Sequence, residues 1–232
     1  VFRAYYETGA RWTTMPRPVL ADSSFDLSYA RDAATTLGGP TEPVADPVPG
    51  PYDPGLEMML DGAQVLRLGQ DLIINVATDN HYQAAGWLMR HVAGRHRVHT
   101  AYRMADNHID SMLLALRPGV LLARHDGIRA MLPGAFRSWK VIVPPEPDPG
   151  SFPVYDDDDL ILTSPYIDLN VLSLSPDTVL VNKDCTGLAK TLEAEGFTVI
   201  PVRHRHRRLF GGGFHCFTLD THRDGGPEDY LS

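Results

Sequence analysis

Val65-Leu66-Arg67-Leu68-Gly69-Gln70-Asp71-Leu72-Ile73-Ile74-Asn75-Val76 holds the fold in miniature. Residues 65–68 read as one strand, Gly69-Gln70 as a tight turn, and the apolar run 71–76 as a second strand. Helical spacing follows over 81–92, where Ala84, Leu88 and Val92 share a face, and Gly94 stops it. Arg97–Tyr102 then predicts a third strand. The unit is strand, strand, helix, strand.

The same order recurs twice. Residues 109–116 turn at Arg117-Pro118-Gly119 into Val120–Ala123, with a short helix predicted near 127–132 and a strand over 140–143. Residues 171–174 turn at Ser175-Pro176-Asp177 into 178–181. Thr186 is expected to cap a helix carrying Leu188 and Leu192, Gly196 to end it, and Thr198–Val202 to close the unit. A fourth copy would start at Phe214. Repetition of ββαβ predicts an α/β fold, a single domain over 1–232. The links at 38–55 and 144–159 are polar and rich in proline. The aspartates 156–159 read as a solvated loop, because four consecutive carboxylates cannot all face one ion. The chain opens Val1-Phe2-Arg3, without methionine, in what reads as the end of a helix. The expectation is a piece of a longer protein with further modules upstream.

Hydrophobic residues make up 43% and charged residues 22% of the 232, which excludes a disordered chain. Apolar runs are strand-sized, so neither a transmembrane span nor a membrane partner is expected, and no signal peptide is read. A net charge of −8 argues against nucleic acid. The basic run 203–208 reads as a solvated loop. Two cysteines make no disulfide framework and point to a reducing compartment, the cytoplasm.

Gly211-Gly212-Gly213-Phe214-His215-Cys216 sets a thiol at the mouth of a three-glycine loop, where a strand is expected to begin. Such glycines let backbone pass close to a ligand. Asp61 precedes the first strand of one unit, His108 and Asp110 open the next, and Cys216 the last. Asp61 and His108 stand almost as far apart as Asn170 and Cys216. If the first strands lie innermost around an axis, these side chains converge. A thiol needs a base or a cation to become a thiolate, and His108 is the candidate, oriented by Asp61 as the third member of a triad. On a strand His215 would point away from Cys216, and Asp110 the same way as His108. His96, His99 and His125 read as surface or strand residues, and Cys185 as a buried small hydrophobe before a helix. A carboxylate beside a thiol opposes the negative charge developing there. It suits a cationic substrate, above all a planar guanidinium, which takes paired hydrogen bonds. The residues thus point to covalent chemistry at a guanidinium carbon, with no metal and no cofactor.

The chain also resembles the amidinotransferases of the guanidino-modifying, or pentein, superfamily. The resemblance runs through Trp12-Thr13-Thr14-Met15-Pro16-Arg17-Pro18, Ala21-Asp22, Leu60-Asp61-Gly62-Ala63 and Arg67-Leu68-Gly69-Gln70-Asp71. It continues in His108-Ile109-Asp110, Arg117-Pro118-Gly119, Asn170-Val171-Leu172, the triple-glycine block and Thr218-Leu219-Asp220-Thr221-His222-Arg223. What it implies is a five-bladed α/β propeller of ββαβ modules, incomplete here at the N-terminus. It implies transfer of an amidino group from arginine to a primary amine, through a thioether on Cys216, with release of ornithine. Asp61, His108 and Cys216 fall on the family's triad, Asp110 on its guanidinium-binding aspartate, and Thr163-Ser164 on a substrate-contacting pair. Its arginine for the donor carboxylate falls on Gly127, so either Arg124 or Arg129 substitutes for it or the donor is not arginine. Glycine-specific members carry Asn and Met where Ala105 and Asn107 stand, and the alanine is more like the aminocyclitol type. The implied partners are small molecules, with a homodimer expected. The alternatives are an arginine deiminase-like hydrolase and an inactive propeller used as a binding module. Phe214-His215 and Thr218-x-Asp220 favour transfer.

Overall fold

Leu68 and Asp71 face each other across Gly69-Gln70, so β1 (Val65–Leu68) folds back antiparallel onto β2 (Asp71–Val76). Gly69 sits at φ +60, and a Cβ there would meet the Glu228 carbonyl oxygen at 2.2 Å, so only glycine fits. Every residue of β2 is buried, as expected of a strand covered on both faces. The Thr78 hydroxyl caps helix Asp79–His91 by accepting from the His81 N–H, two residues ahead of the start the spacing predicts. The helix returns the chain to β3 (Arg97–Tyr102), parallel to β2.

The computed structural model describes residues 2–15, 58–148, 150, 165–220 and 226–232. Thr163, Ser164, the aspartates 156–159, the link at 38–55 and the motif residues 16–22 and 221–223 lie outside the described residues. In the second module β4 (Leu113–Arg117) pairs antiparallel with β5 (Val120–Ala123), and β5 parallel with β6 (Lys140–Ile142). The third has β7 (Leu172–Ser175), β8 (Thr178–Asn182) and β9 (Thr198–Val202) in the same pattern, with helix Thr186–Ala194 between β8 and β9. Each module is one three-stranded mixed sheet.

Four expectations are corrected. No strand starts at Phe214: His215–Phe217 form a single 3-10 turn. Two of its backbone N–H groups are spent on Asn170 rather than on a ladder, His215 N donating to the Asn170 carbonyl and Cys216 N to its side chain. The chain at 109–111 is likewise a 3-10 turn, and β4 starts only at Leu113. Thr186 opens its helix rather than capping it; Cys185 holds the cap position without a side-chain bond. The basic run is not wholly solvated. Arg207 is 1% exposed, its guanidinium donating to the Asp168 carboxylate at 2.9 Å.

Side-chain packing joins the modules. β4 lies between β1 and β7 and alternates its side chains between two cores. Leu113 faces the first, with Leu66, Ile73, Leu121 and Phe136; Leu114 and Leu116 face the second, with Leu122, Val179, Val181 and Leu192. Each such side chain contributes about 1.5–3 kcal/mol on burial. The strand period of two is therefore what lets one sheet serve two neighbours. Residues 226–232 strap back over the first module. Glu228 O accepts from Gln70 N at 2.9 Å, Asp229 pairs with Arg97, and Tyr230 and Leu231 pack on the first core. Among the described residues no helix is long and apolar enough to cross a membrane.

Candidate functional site

A 3-10 turn precedes the first strand of every module: Gly62–Gln64 before β1, Ile109–Ser111 before β4, Pro165–Leu169 before β7. The three turns are neighbours, the middle one touching the other two. Asp61 caps the first. Its Oδ1 accepts from Ala63 N, and its own N–H donates to Gln64 Oε1, a reciprocal box that fixes the carboxylate. Oδ2 is then left for His108, whose Nε2 lies 3.1 Å away. His108 heads the second turn, and the segment leading to it is held by buried Asn75, which donates to the carbonyls of Ala105 and Asn107. His108 is exposed, whereas Asp110, two residues on, is buried. The turn thus separates two side chains that a strand would have aligned.

Asp110 Oδ2 gathers three groups. His215 Nδ1 lies at 2.8 Å, Asn170 Nδ2 donates at 3.0 Å, and the Cys216 thiol donates at 3.6 Å. His215 and Cys216, adjacent in the chain, both turn to this one oxygen, so the opposed orientation expected of a strand does not occur. The imidazole bonded to Asp110 is that of His215, while His108 bonds Asp61. Burial disfavours ionisation of Asp110, but the hydrogen bonds from His215 and Asn170 outweigh it and hold the carboxyl below its ordinary range. The Cys216 thiol is pushed up to about 11, first by burial and then by the Asp110 charge. Cys185 is pushed higher, by burial and by Asp168. Both cysteines are free thiols.

Of the glycines before Cys216, Gly213 is sterically required and Gly212 is tightly packed. A Cβ on Gly213 would stand 2.4 Å from Asn170 Cβ and 2.7 Å from the carbonyl oxygens of Asn170 and Ile167. On Gly212 it would stand 3.0 Å from Cys216 Cβ. The Pro165–Leu169 turn beneath is anchored through Asp168, which accepts from Asn182 Nδ2 and Arg207 Nε, each at 2.9 Å.

Arg124 and Arg129 are held by aromatic and backbone groups. The Arg124 guanidinium stacks on the Tyr166 ring at 3.8 Å, and Arg129 donates to the Val141 carbonyl at 2.9 Å. Arg124 and Tyr166 line a pocket of about 240 Å³ that takes in Cys185 but neither Asp110 nor Cys216. A Cβ on Gly127 would meet the His125 ring at 2.9 Å. His99, on β3, bonds Asp71 at 2.7 Å. Asn170, Arg207 and Asn75 carry roles the motifs do not announce. For Asn170 the available signal was a polar residue directly before the strand of Asn170-Val171-Leu172. Among the described residues no group of three His, Cys, Asp or Glu could hold a metal ion.

No protein-family model matches the chain. It is 35% identical to inosamine-phosphate amidinotransferase 1 of Streptomyces glaucescens, over 97% of this chain and 59% of that protein. It is 32% identical to the L-arginine:L-lysine amidinotransferase of Pseudomonas savastanoi pv. phaseolicola, over 100% of this chain and 60% of that one. Its structure aligns with that of inosamine-phosphate amidinotransferase from Streptomyces griseus at a TM-score of 0.74 and 31% identity, covering 100% of this chain and 61% of the other. The chain spans about three fifths of the length of these relatives. By sequence and by structure alike, this chain is related to the amidinotransferases, with α/β modules that match theirs.

Proposed function

We propose that the chain forms the catalytic portion of an enzyme that moves an amidino group from arginine to a primary amine, with Cys216 as the carrier. The observation that supports this most is the Cys216 thiol lying 3.6 Å from the Asp110 carboxylate. In an empty site that pairing suppresses the nucleophile, because the carboxylate opposes a thiolate. A guanidinium seated against Asp110 reverses the sign: its positive charge offsets the carboxylate and favours the thiolate at the moment substrate is present. The name of the Pseudomonas relative, an L-arginine:L-lysine amidinotransferase, agrees with a guanidino donor and an amine acceptor.

In the proposed reaction the sulfur bonds to the guanidinium carbon and the bond from that carbon to the ε-nitrogen of arginine breaks. The thiol proton passes through His108 to the departing amine, which leaves as ornithine. An amidino-thioether remains on Cys216. A primary amine then attacks the same carbon, the carbon–sulfur bond breaks, and the proton lost by the amine returns to sulfur. With Nε2 on Asp61, Nδ1 of His108 is the nitrogen for this traffic. The same reading takes the modules as blades of a five-bladed propeller with first strands innermost, supported by β4 lying between β1 and β7. Two free thiols go with a reducing compartment, the cytoplasm.

The test is to incubate the protein with arginine, quench, and map adducts by mass spectrometry while assaying ornithine and citrulline. An amidino adduct on Cys216 with ornithine as product is expected. An adduct on Cys185, or citrulline formed without any acceptor, would overturn the assignment.

A further inference from the structure

We infer that Asn170 is a positioning residue whose single side-chain amide ties the Asp110 carboxylate to the Cys216 backbone and so sets where the thiol stands. This deepens the reading of Cys216 as the nucleophile and rests on it. Asn170 is 2% exposed. Its Nδ2 donates to Asp110 Oδ2 at 3.0 Å and to the Asp110 carbonyl at 3.3 Å, while its Oδ1 accepts from Cys216 N at 2.9 Å. The two ends face opposite demands, a carboxylate that only accepts and a backbone N–H that only donates. A neutral amide satisfies both at once. An ionised carboxylate of the same size would satisfy the second and repel the first.

The backbone of Asn170 works in the same direction. Its carbonyl accepts from His215 N at 3.3 Å, and its own N–H donates to Ile167 O at 3.0 Å, closing the turn from which the side chain projects. Gly213 lies against its Cβ with no room for another carbon. Asp110 comes from the second module, Asn170 from the entry to the third, and Cys216 from the loop beyond it. Asn170 is thus the piece through which the carboxylate and the thiol, 106 residues apart, are held in register.

The experiment follows the alkylation of Cys216 by iodoacetamide as a function of pH, read by peptide mass spectrometry, with Cys185 in the same sample as reference and a thermal melt alongside. Asn170→Asp keeps the acceptor for Cys216 N but sets a second carboxylate against Asp110. The Cys216 midpoint is expected to rise by about one pH unit or more, with Cys185 labelling unchanged. Asn170→Ser is too short to bridge the two partners. It frees the loop, so the thiol leaves the carboxylate and the midpoint is expected to fall. Opposite shifts from the two variants mark a tether. A folded variant of either kind with the wild-type midpoint would overturn the inference. So would loss of the folded baseline in both, which would make Asn170 structural only. Alkylation needs no substrate, so failure of amidino transfer would sink the functional reading and leave this result to be judged by itself.

Discussion

Gly213→Ala tests how tightly the thiol loop is seated. Its new methyl carbon would stand 2.4 Å from Asn170 Cβ, against about 3.5–4.0 Å for an ordinary carbon contact. Two further clashes, each at 2.7 Å, are with backbone carbonyl oxygens of Asn170 and Ile167, so no rotamer change relieves them. The loop must therefore withdraw by about 1 Å or more. That stretches the bond from Cys216 N to Asn170 Oδ1, now 2.9 Å, past the length at which a hydrogen bond survives. Overpacking costs about 1–3 kcal/mol and the lost bond about 0.5–1.5 kcal/mol, together about 2–4 kcal/mol. For a domain of this size the melting temperature should fall by about 5–15 °C. Gly134→Ala is the control, since a Cβ there meets nothing within 4 Å. It should stay within about 0.5 kcal/mol of wild type. The assays are a thermal melt and the rate of Cys216 alkylation at fixed pH. A Gly213→Ala protein that melts and alkylates as wild type does would refute the steric argument.

Asp110→Asn preserves shape but removes the charge that, after burial, raises the Cys216 thiol to about 11. A lower thiol pKa means more thiolate at any fixed pH below it, so iodoacetamide should label Cys216 about tenfold faster at pH 8. Amidino transfer should be lost in the same variant, and unchanged labelling would show that the carboxylate does not govern the thiol. The tail should respond to acid. Hydrogen bonds from Arg97 hold Asp229 down to about 2 and, against the opposing effect of burial, hold Asp71 below its ordinary range. A depressed carboxyl contributes stability that is present above its unfolded value and is lost as pH falls through the folded one. Residues 226–232 should therefore gain peptide-level hydrogen exchange between about pH 4 and pH 2. Arg97→Ala should free them at neutral pH, and protection that survives in that variant would place the anchor elsewhere, in Tyr230 and Leu231.

The modules were legible because period and punctuation agree. Gly69 and Gly119 take φ of +60 and +78, which glycine adopts at least cost, and β4 and β5, which Gly119 joins, alternate in phase with two cores. What could not be read was decided by partners distant in sequence. Ile109-Asp110-Ser111-Met112-Leu113 carries a strand-like pattern, yet Ser111 Oγ closes a turn onto the His108 carbonyl, and Asp110 is drawn inward by Asn170, 60 residues on. In the run 203–208 charge suggested solvent, but Asp168, 39 residues before Arg207, gives that guanidinium a buried partner. Local pattern cannot supply such information, because the partner's position depends on how one module stacks on the next.

The same departures from strand geometry are what the site requires. Neighbouring residues of a strand face opposite sides, so a strand could offer only one of His215 and Cys216 to a common carboxylate. The 3-10 turn His215–Phe217 has about three residues per turn and lets both reach Asp110 Oδ2, at 2.8 and 3.6 Å. At 109–111 the effect is the converse. Residues two apart on a strand share a face, whereas the turn leaves His108 exposed while burying Asp110 where charge is felt most strongly. Short turns ahead of the first strands thus combine the in-phase spacing of the repeat with side-chain directions that a ladder forbids. The repeat brings Asp61, His108, Asp110 and Asn170 to one place, and the turns decide which of them meets the thiol.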